Sequence, residues 1–452
     1  MISEDTLDKV RELPIETVVG QYVKLAKDGR TSMKGLCPFH SENTPSFSIN
    51  LNKNLYHCFG CNRGGDGISF IMEKENLNFQ QAVRLLAEKF NILMEDEYDE
   101  ERTDADKAKQ AHKDSLYAVL EKVQTFFTDH LRVAANDDSR HAREYAYNRW
   151  PENFCAEAGI GYAPRESHAF MDYCRQQALN EKFLIELGML RKNEEGKLYP
   201  MFRERIMIPI RNKWGRIIAY TARYIGAHPK APKYINSITS LLYTKGETLF
   251  GIDRAFRLRD AANFIIVEGA PDVLRLQSIG LENTVATLGT AWNENQFEIL
   301  KHYTSSLCFI PDTDLAKGSP YGPGFKAVME NGALAIQKGF NVTVRELPFG
   351  LRELTEEELQ EKYEGTIPKD AQREVLVKND ADSYILDMDI YRNLKEKYFI
   401  VWMAEKLFAQ VDSLAEEGQC VSRIAGLLRY VKDQMVYTRC IEQLGKIHGK
   451  TR

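Results

Sequence analysis

The 452-residue chain has no uninterrupted apolar run of about 18 residues, so no membrane-spanning helix is predicted. Its opening residues, MISEDTLDKV, lack the basic stretch and following apolar segment that export requires, and a cytoplasmic location is expected. Cysteine is sparse. Of eight, Cys155, Cys174, Cys308, Cys420 and Cys440 are scattered, which in a chain of this size argues against a disulfide framework. Excess positive charge is also missing: 60 Lys and Arg face 65 Asp and Glu, so nothing global marks a nucleic-acid binder and any phosphate contact must come from a local patch. No internal repeat is found. A hydrophobic content of 43 % is ordinary for a folded protein and leaves room for roughly two to four domains.

What is present is unevenly distributed. Residues 201–250 carry nine basic side chains (Arg203, Arg205, Arg211, Lys213, Arg216, Arg223, Lys230, Lys233 and Lys245) against Glu204 and Glu247, a local balance of 9 − 2 = +7. Residues 95–106, EDEYDEERTDAD, are acidic and read as a solvated linker. Before it, NFQQAVRLLAEKFNI places Asn78 as an N-cap and Ala82, Val83, Leu85, Leu86 and Phe90 near a helical period, ending a first domain near residue 95. After it, SLYAVLEKVQTFFTDHLRV reads as a helix, and RIMIPI and RIIAYTARY around NKWGR read as a β-hairpin in an α+β region. From residue 263 short β runs (FIIVEG, NTVATLGT, SSLCFIPD, NVTVRELP) alternate with helical segments, which predicts an α/β unit with a mostly parallel sheet. From about Tyr391 the pattern is helical with no strand signal.

The remaining cysteines are clustered. Cys37-x2-His40 and Cys58-x2-Cys61 form two compact ligand pairs, and thiolate with imidazole favours a tetrahedral Zn²⁺ that four protein ligands close off. A structural zinc site is expected, stabilising a domain with a small core. His57 is a rival ligand, but it adjoins Cys58 and lacks the two-residue gap. The intervening SFSINLNKNLYHCF is β-prone, and Phe47, Tyr56 and Phe59 read equally as a surface for single-stranded nucleic acid or as buried core.

A second constellation is acidic. Glu268 follows the strand in FIIVEGAPDV, with Asp272 four residues on, and Asp312 and Asp314 follow the strand in CFIPDTD. The crevice of an open α/β sheet lies beyond the carboxyl ends of its strands, so these carboxylates are expected to converge. Converging like charges need cations, and hard oxygen donors suit Mg²⁺ or Mn²⁺. Alone, Asp272 reads equally well as a helix cap. Asp380 and Asp382 repeat the i, i+2 spacing but serve a turn equally well.

GLCPFHSENTPSFSINLNKNLYHCFGCNRGGDGISFIM resembles the CHC2 zinc-binding domain of bacterial DnaG-type DNA primases, and FIIVEGAPDV with CFIPDTD resembles their Toprim domain. FRERIMIPIRNKWGRIIAYTAR and PKYINSITSLLYTKGETLFGIDRA resemble the primase core, in the family's order. The resemblance implies a zinc-ribbon-like domain (1–95), an acidic linker (96–112), an α+β core subdomain that binds template and nucleotide (113–258), a Toprim subdomain (259–389) and a helical subdomain (390–452). It implies a monomeric DNA-dependent RNA polymerase that makes short primers on single-stranded DNA from ribonucleoside triphosphates by two-metal transfer. By the same resemblance Cys37, His40, Cys58 and Cys61 are zinc ligands, and Glu268, Asp312 and Asp314 are catalytic Mg²⁺ ligands joined by Asp272, Asp380 and Asp382. Arg149, Arg203, Arg205, Arg223, Lys233, Tyr234, Asn236 and Lys245 fall at positions that bind nucleotide or template.

The chain departs from the family pattern in three places. Thr313 stands where the family's Asp-Gly-Asp has glycine, restricting the turn. The segment FGLRELTEEELQEKYEGTIPKDAQREVLVKN before Asp380 is longer than usual. A helicase-binding domain is not expected after the helical tail, which leaves contact with a replicative helicase or single-strand binding protein as the family's habit only and favours a mobile-element role. The terminal GKIHGKTR lacks the spacing of a phosphate loop. A Toprim nuclease or topoisomerase would use the same acids, and a noncatalytic zinc module for single-stranded DNA is the remaining alternative.

Overall fold

The computed structural model describes residues 2, 4–75, 77–90, 92, 104–258, 263–289, 292–301, 303–313, 322–363, 373–411 and 413–451. These form two compact units, Met1–Ala111 and His112–Arg452.

The first unit is built on an antiparallel meander of β1 (Ala26–Lys27), β2 (Ser32–Gly35), β3 (Phe47–Asn50), β4 (Leu55–Cys58) and β5 (Gly64–Gly65). Period-two alternation buries Phe47 and Ile49 of β3 and Tyr56 and Cys58 of β4, and the register pairs Phe47 with Cys58 and Ile49 with Tyr56. The helices Gly67–Lys74 and Phe79–Lys89 close the core with Phe70, Ile71, Val83 and Leu86. Both starts are capped: Asp66 accepts the Ser69 amide at 2.8 Å, and Asn78 and Gln81 form a capping box.

The chain passes into the second unit along the helix Asp104–Val133. This corrects the linker expectation over residues 104–112: DADKAKQAHKD is rich in good helix formers, and Leu116, Leu120, Val123 and Phe127 anchor the turns that follow. Residues 96–103 lie outside the described residues.

Beyond this helix stand β6 (Gly161–Ala163), the small pair β7 (Leu190–Lys192) and β8 (Leu198–Pro200), and then β9 (Arg205–Arg211), β10 (Ile217–Tyr224) and β11 (Tyr234–Asn236). The order β11-β10-β9-β6 makes an antiparallel sheet. Its hairpin turns where Asn212 Oδ1 accepts the amides of Trp214 and Arg216 at 3.0 Å and Gly215 adopts φ 80°.

A second sheet follows in the order β13-β12-β14-β15-β18, from β12 (Phe264–Val267), β13 (Thr284–Ala286), β14 (Ser306–Phe309), β15 (Asn341–Arg345) and β18 (Glu396–Tyr398). Its first four strands are parallel, as expected from the alternation of strands and helices. The fifth corrects the all-helical reading after Tyr391: β18 pairs antiparallel with β15, a three-residue edge strand too short and polar to show a β pattern. A further hairpin, β16 (Gly350–Glu353) with β17 (Glu374–Val377), occupies the unusually long segment. One face of the parallel sheet packs under Phe297, Phe325, Phe399 and Trp402, while the other shares a core with Ile206, Ile208 and Ile210 of β9.

The helix Pro323–Gln337 lies so close to Phe399 that a Cβ at Gly332 would stand 2.2 Å from its ring. Gly332→Ala should therefore lower unfolding free energy by about 1–3 kcal/mol in a denaturant titration. Gly418→Ala, on a helix with open space around it, should instead be neutral or raise it by up to about 1 kcal/mol.

Candidate metal centre and catalytic cavity

In the first unit, Cys37 and His40 leave the end of β2 while Cys58 and Cys61 bracket the end of β4, so two turns present their side chains to one point. One ligand atom from each of the four lies within 4.8 Å of the others, the one such cluster among the described residues. The Sγ atoms of Cys37 and Cys61 are 3.8 Å apart, and Cys58 Sγ is 3.8 Å from His40 Nδ1. A tetrahedron with bonds of about 2.3 Å has edges of about 3.8 Å, so the donor set fits zinc in both spacing and chemistry.

The surroundings orient the ligands. The Phe39 amide donates to Cys37 Sγ and the Cys61 amide to Cys58 Sγ, each at 3.4 Å, and the Ser46 hydroxyl lies 3.2 Å from Cys58 Sγ. Burial pushes the Cys37 thiol up, whereas at Cys58 the Ser46 hydroxyl and the Cys61 and Gly60 amides outweigh burial and bring the thiol down. Glu42, which the spacing gave no reason to single out, ties the loop together. Its Oε1 accepts the Cys37 amide at 2.6 Å and the Ser46 amide at 3.1 Å, and its Oε2 lies 3.2 Å from His40 Nε2, leaving Nδ1 for the metal. His57 stays out of the cluster, with Nε2 3.1 Å from Asn62 Oδ1. Phe47 and Tyr56 are buried and stacked at 5.2 Å, so of the three aromatics only Phe59, 73 % exposed, presents a surface.

In the second unit, the carboxyl ends of β12 and β14 open on a cavity of about 280 Å³. Glu268, Asp272, Asp312 and Asp380 line it together with Arg149, Lys233, Tyr234, Asn236 and Lys378. Glu268 Oε1 accepts the Asp312 amide at 3.4 Å, which brings the two strand ends together. Asp314 lies outside the described residues. Glu268, Asp312 and Asp380 offer hard oxygens of the kind that divalent cations take, with Asp380 Oδ1 also accepting the Ser383 amide at 2.8 Å as a helix cap.

Asp272 and Asp382, expected as further metal ligands, already hold partners within the protein. Asp272 is 6 % exposed; its Oδ2 accepts the Gly269 amide and its Oδ1 the Asp382 amide, both at 3.1 Å, so it caps a helix and ties two segments together. Burial, then Asp312 and Asp380, push its carboxyl well up. Asp382 is 3 % exposed and receives Arg149 Nε on Oδ2 at 2.7 Å, with Arg275 Nε 3.6 Å from Oδ1. Arg275 Nε donates to the Asp382 backbone carbonyl at 3.0 Å, and Oδ1 has no hydrogen-bond partner among the described residues, so this desolvated charge is paired on its Oδ2 side by Arg149. Burial raises Asp382 even so, while the same pairing outweighs burial at Arg149 and keeps its guanidinium charged.

The basic residues divide. Arg149 Nη1 and Arg223 Nε both donate to Tyr145 Oη, at 2.7 and 3.2 Å, and the Arg223 guanidinium lies 5.3 Å from the Tyr234 ring centre. Asn236 donates to the Leu288 carbonyl at 3.0 Å, and Lys245 Nζ lies beside Gly289 on the cavity wall. Arg205 does not join them. It is 6 % exposed, and its Nη1 is spent on the carbonyls of Ala222 and Pro232, so it ties β9 to its neighbours and its expected phosphate contact is not supported. Arg203 is exposed and outside the cavity lining, and Arg211 faces a different cavity of about 230 Å³. Lys378 was missed in the sequence, because a lysine within an unusually long polar segment carries no motif.

Three family profiles match the chain: the CHC2 zinc finger over residues 2–102, the DNA primase catalytic core, N-terminal domain, over 126–256, and the Toprim-like domain over 265–356. A DNA primase of Staphylococcus aureus (strain COL) is 32 % identical over 390 residues, 85 % of this chain, and the chain spans 61 % of that relative's length. Among solved structures, the zinc-binding and RNA polymerase domains of the Aquifex aeolicus primase match with a TM-score of 0.54 at 26 % identity, covering 98 % of this chain and 96 % of that one. A catalytic domain described as bound to single-stranded DNA shares the fold at 22 % identity with a TM-score of 0.55, covering 74 % of this chain and 99 % of that one.

The zinc assignment has a direct check. Metal analysis of the purified protein should find about one zinc per chain, and Cys61→Ser should lose that zinc together with the thermal transition of the first unit.

Proposed function

We propose, from the premise that the chain belongs to the bacterial DnaG-type DNA primase family, that it synthesises short RNA primers on single-stranded DNA from ribonucleoside triphosphates. The observation that carries the reading is one cavity lined both by carboxylates suited to divalent cations and by cations and ring faces suited to a nucleotide. A domain solved with single-stranded DNA has the same fold, which supports that template class.

Bound Mg²⁺ or Mn²⁺, for which Glu268, Asp312, Asp314 and Asp380 are the candidate ligands, would supply activation of the attacking 3′-hydroxyl and neutralise charge on the departing pyrophosphate. The chain's own residues then position the substrate. Arg223, held by Tyr145 and Tyr234, presents its remaining guanidinium donors to phosphate, and Lys233 and Lys245 act as point charges along the same wall. Arg149 is fixed by Asp382, so its place on the wall is set before substrate arrives. Tyr234 offers a ring face for a base. Asp272 contributes by holding the Glu268 turn to the segment that bears Asp380. The zinc cluster keeps all four protein ligands and so acts structurally rather than as a site for reactive water.

The test is incubation with single-stranded template, labelled ribonucleotides and Mg²⁺. Short oligoribonucleotides are expected, and Glu268→Gln should abolish them with an unchanged circular dichroism spectrum. Cleaved template would instead make the chain a nuclease, and full synthesis by the variant would remove Glu268 from the chemistry.

A further inference from the structure

The residue after β17 is Lys378, whose Nζ lies 2.6 Å from Asp312 Oδ2. Asp312 is 8 % exposed, whereas the lysine side chain is 44 % exposed, so the ammonium enters the cavity wall from the solvent side. Its position is not left to a flexible stem alone. The loop that bears Asp312 and the segment that bears Lys378 are clipped together: the Thr313 amide donates to the Asn379 carbonyl at 2.9 Å, and the Asn379 amide donates to Thr313 Oγ1 at 2.6 Å. Asn379 Nδ2 also donates to the Pro348 carbonyl at 2.8 Å.

We infer that Lys378 is a resident cation of the catalytic cavity, held on Asp312 by the Thr313–Asn379 clip, and that a divalent ion must displace it to use that carboxylate. This rests on the metal-binding part of the function proposed above. A carboxylate as desolvated as Asp312, with Glu268, Asp272 and Asp380 around the same cavity, is costly without a positive neighbour, and the ammonium supplies one in the metal-free protein. The lysine and the metal then compete for one group, so the exchange lowers apparent metal affinity while guarding the fold in the metal-free state. The exposed four-carbon stem gives the displaced ammonium a path back to water.

The experiment is Mn²⁺ titration of the zinc-loaded full chain, with neither template nor nucleotide, reading free Mn²⁺ by electron paramagnetic resonance. Lys378→Met should bind Mn²⁺ roughly three- to tenfold more tightly than the parent, the scale expected from losing one partly exposed competing charge. Thr313→Val, which keeps the shape and removes the hydroxyl, should also bind more tightly, by a smaller factor. The metal-free Lys378→Met protein should melt lower than the parent and recover with Mn²⁺. Asp312→Asn is the control, expected to bind Mn²⁺ at least tenfold more weakly. If that control weakens binding but Lys378→Met binds no more tightly than the parent, the resident-cation role is overturned and the metal site stands. If Asp312→Asn binds like the parent, the metal does not use Asp312 and both fall together.

Discussion

Carboxylates at the ends of neighbouring parallel strands repel one another, and the second unit is arranged around meeting that repulsion in three physical ways. Asp272 is buried and its two oxygens accept backbone amides, which works against the burial and the neighbouring acids that oppose its ionisation. Asp382 is buried with Oδ2 taken by Arg149, which it holds in place, while Oδ1 faces Arg275 at 3.6 Å and has no hydrogen-bond partner among the described residues. Asp312 is nearly buried and faces an ammonium that solvent can reclaim. Three acids of similar sequence context therefore meet three different kinds of partner: backbone amides, an arginine and a lysine. What separates them is which partner replaces the water each has lost.

The basic sheet answers the same constraint from the other side. Its cations do not form a uniform phosphate-tracking face. Arg205 is turned inward to carbonyls, Arg216 stacks 3.5 Å over Tyr117 and Lys213 lies over Trp214, while Arg223, Lys233 and Lys245 remain on or beside the cavity wall. A local charge of one sign is thus a sum over structural and functional residues, and only burial and partners divide it. In the first unit the division is simpler. Phe39, Phe47, Tyr56 and Phe70 form one aromatic core against which the ligand turns close, so folding and metal capture depend on the same few strands.

Much of this was legible in the sequence. Paired ligands two residues apart, alternating strands and helices, and acids placed just after apolar runs each carry a period or spacing that physics fixes. The losses have physical reasons too. β18 is an edge strand of three residues, β16 and β17 are short and exposed, and the first turns of the helix Asp104–Val133 are too polar to show an apolar stripe. Glu42 and Lys378 act through a loop amide and a tertiary ion pair, which no spacing announces. Arg205 sits in sequence like a phosphate ligand, and only its burial reveals that it holds the sheet.

Whether the cavity at the ends of β12 and β14 is a cation site that a divalent ion completes is decided by anomalous diffraction from crystals of the full chain soaked in Mn²⁺. A Mn²⁺ peak in contact with Glu268 and Asp312 is expected, with the Lys378 ammonium withdrawn from Asp312. Manganese bound elsewhere, with Lys378 still seated on Asp312, would contradict it.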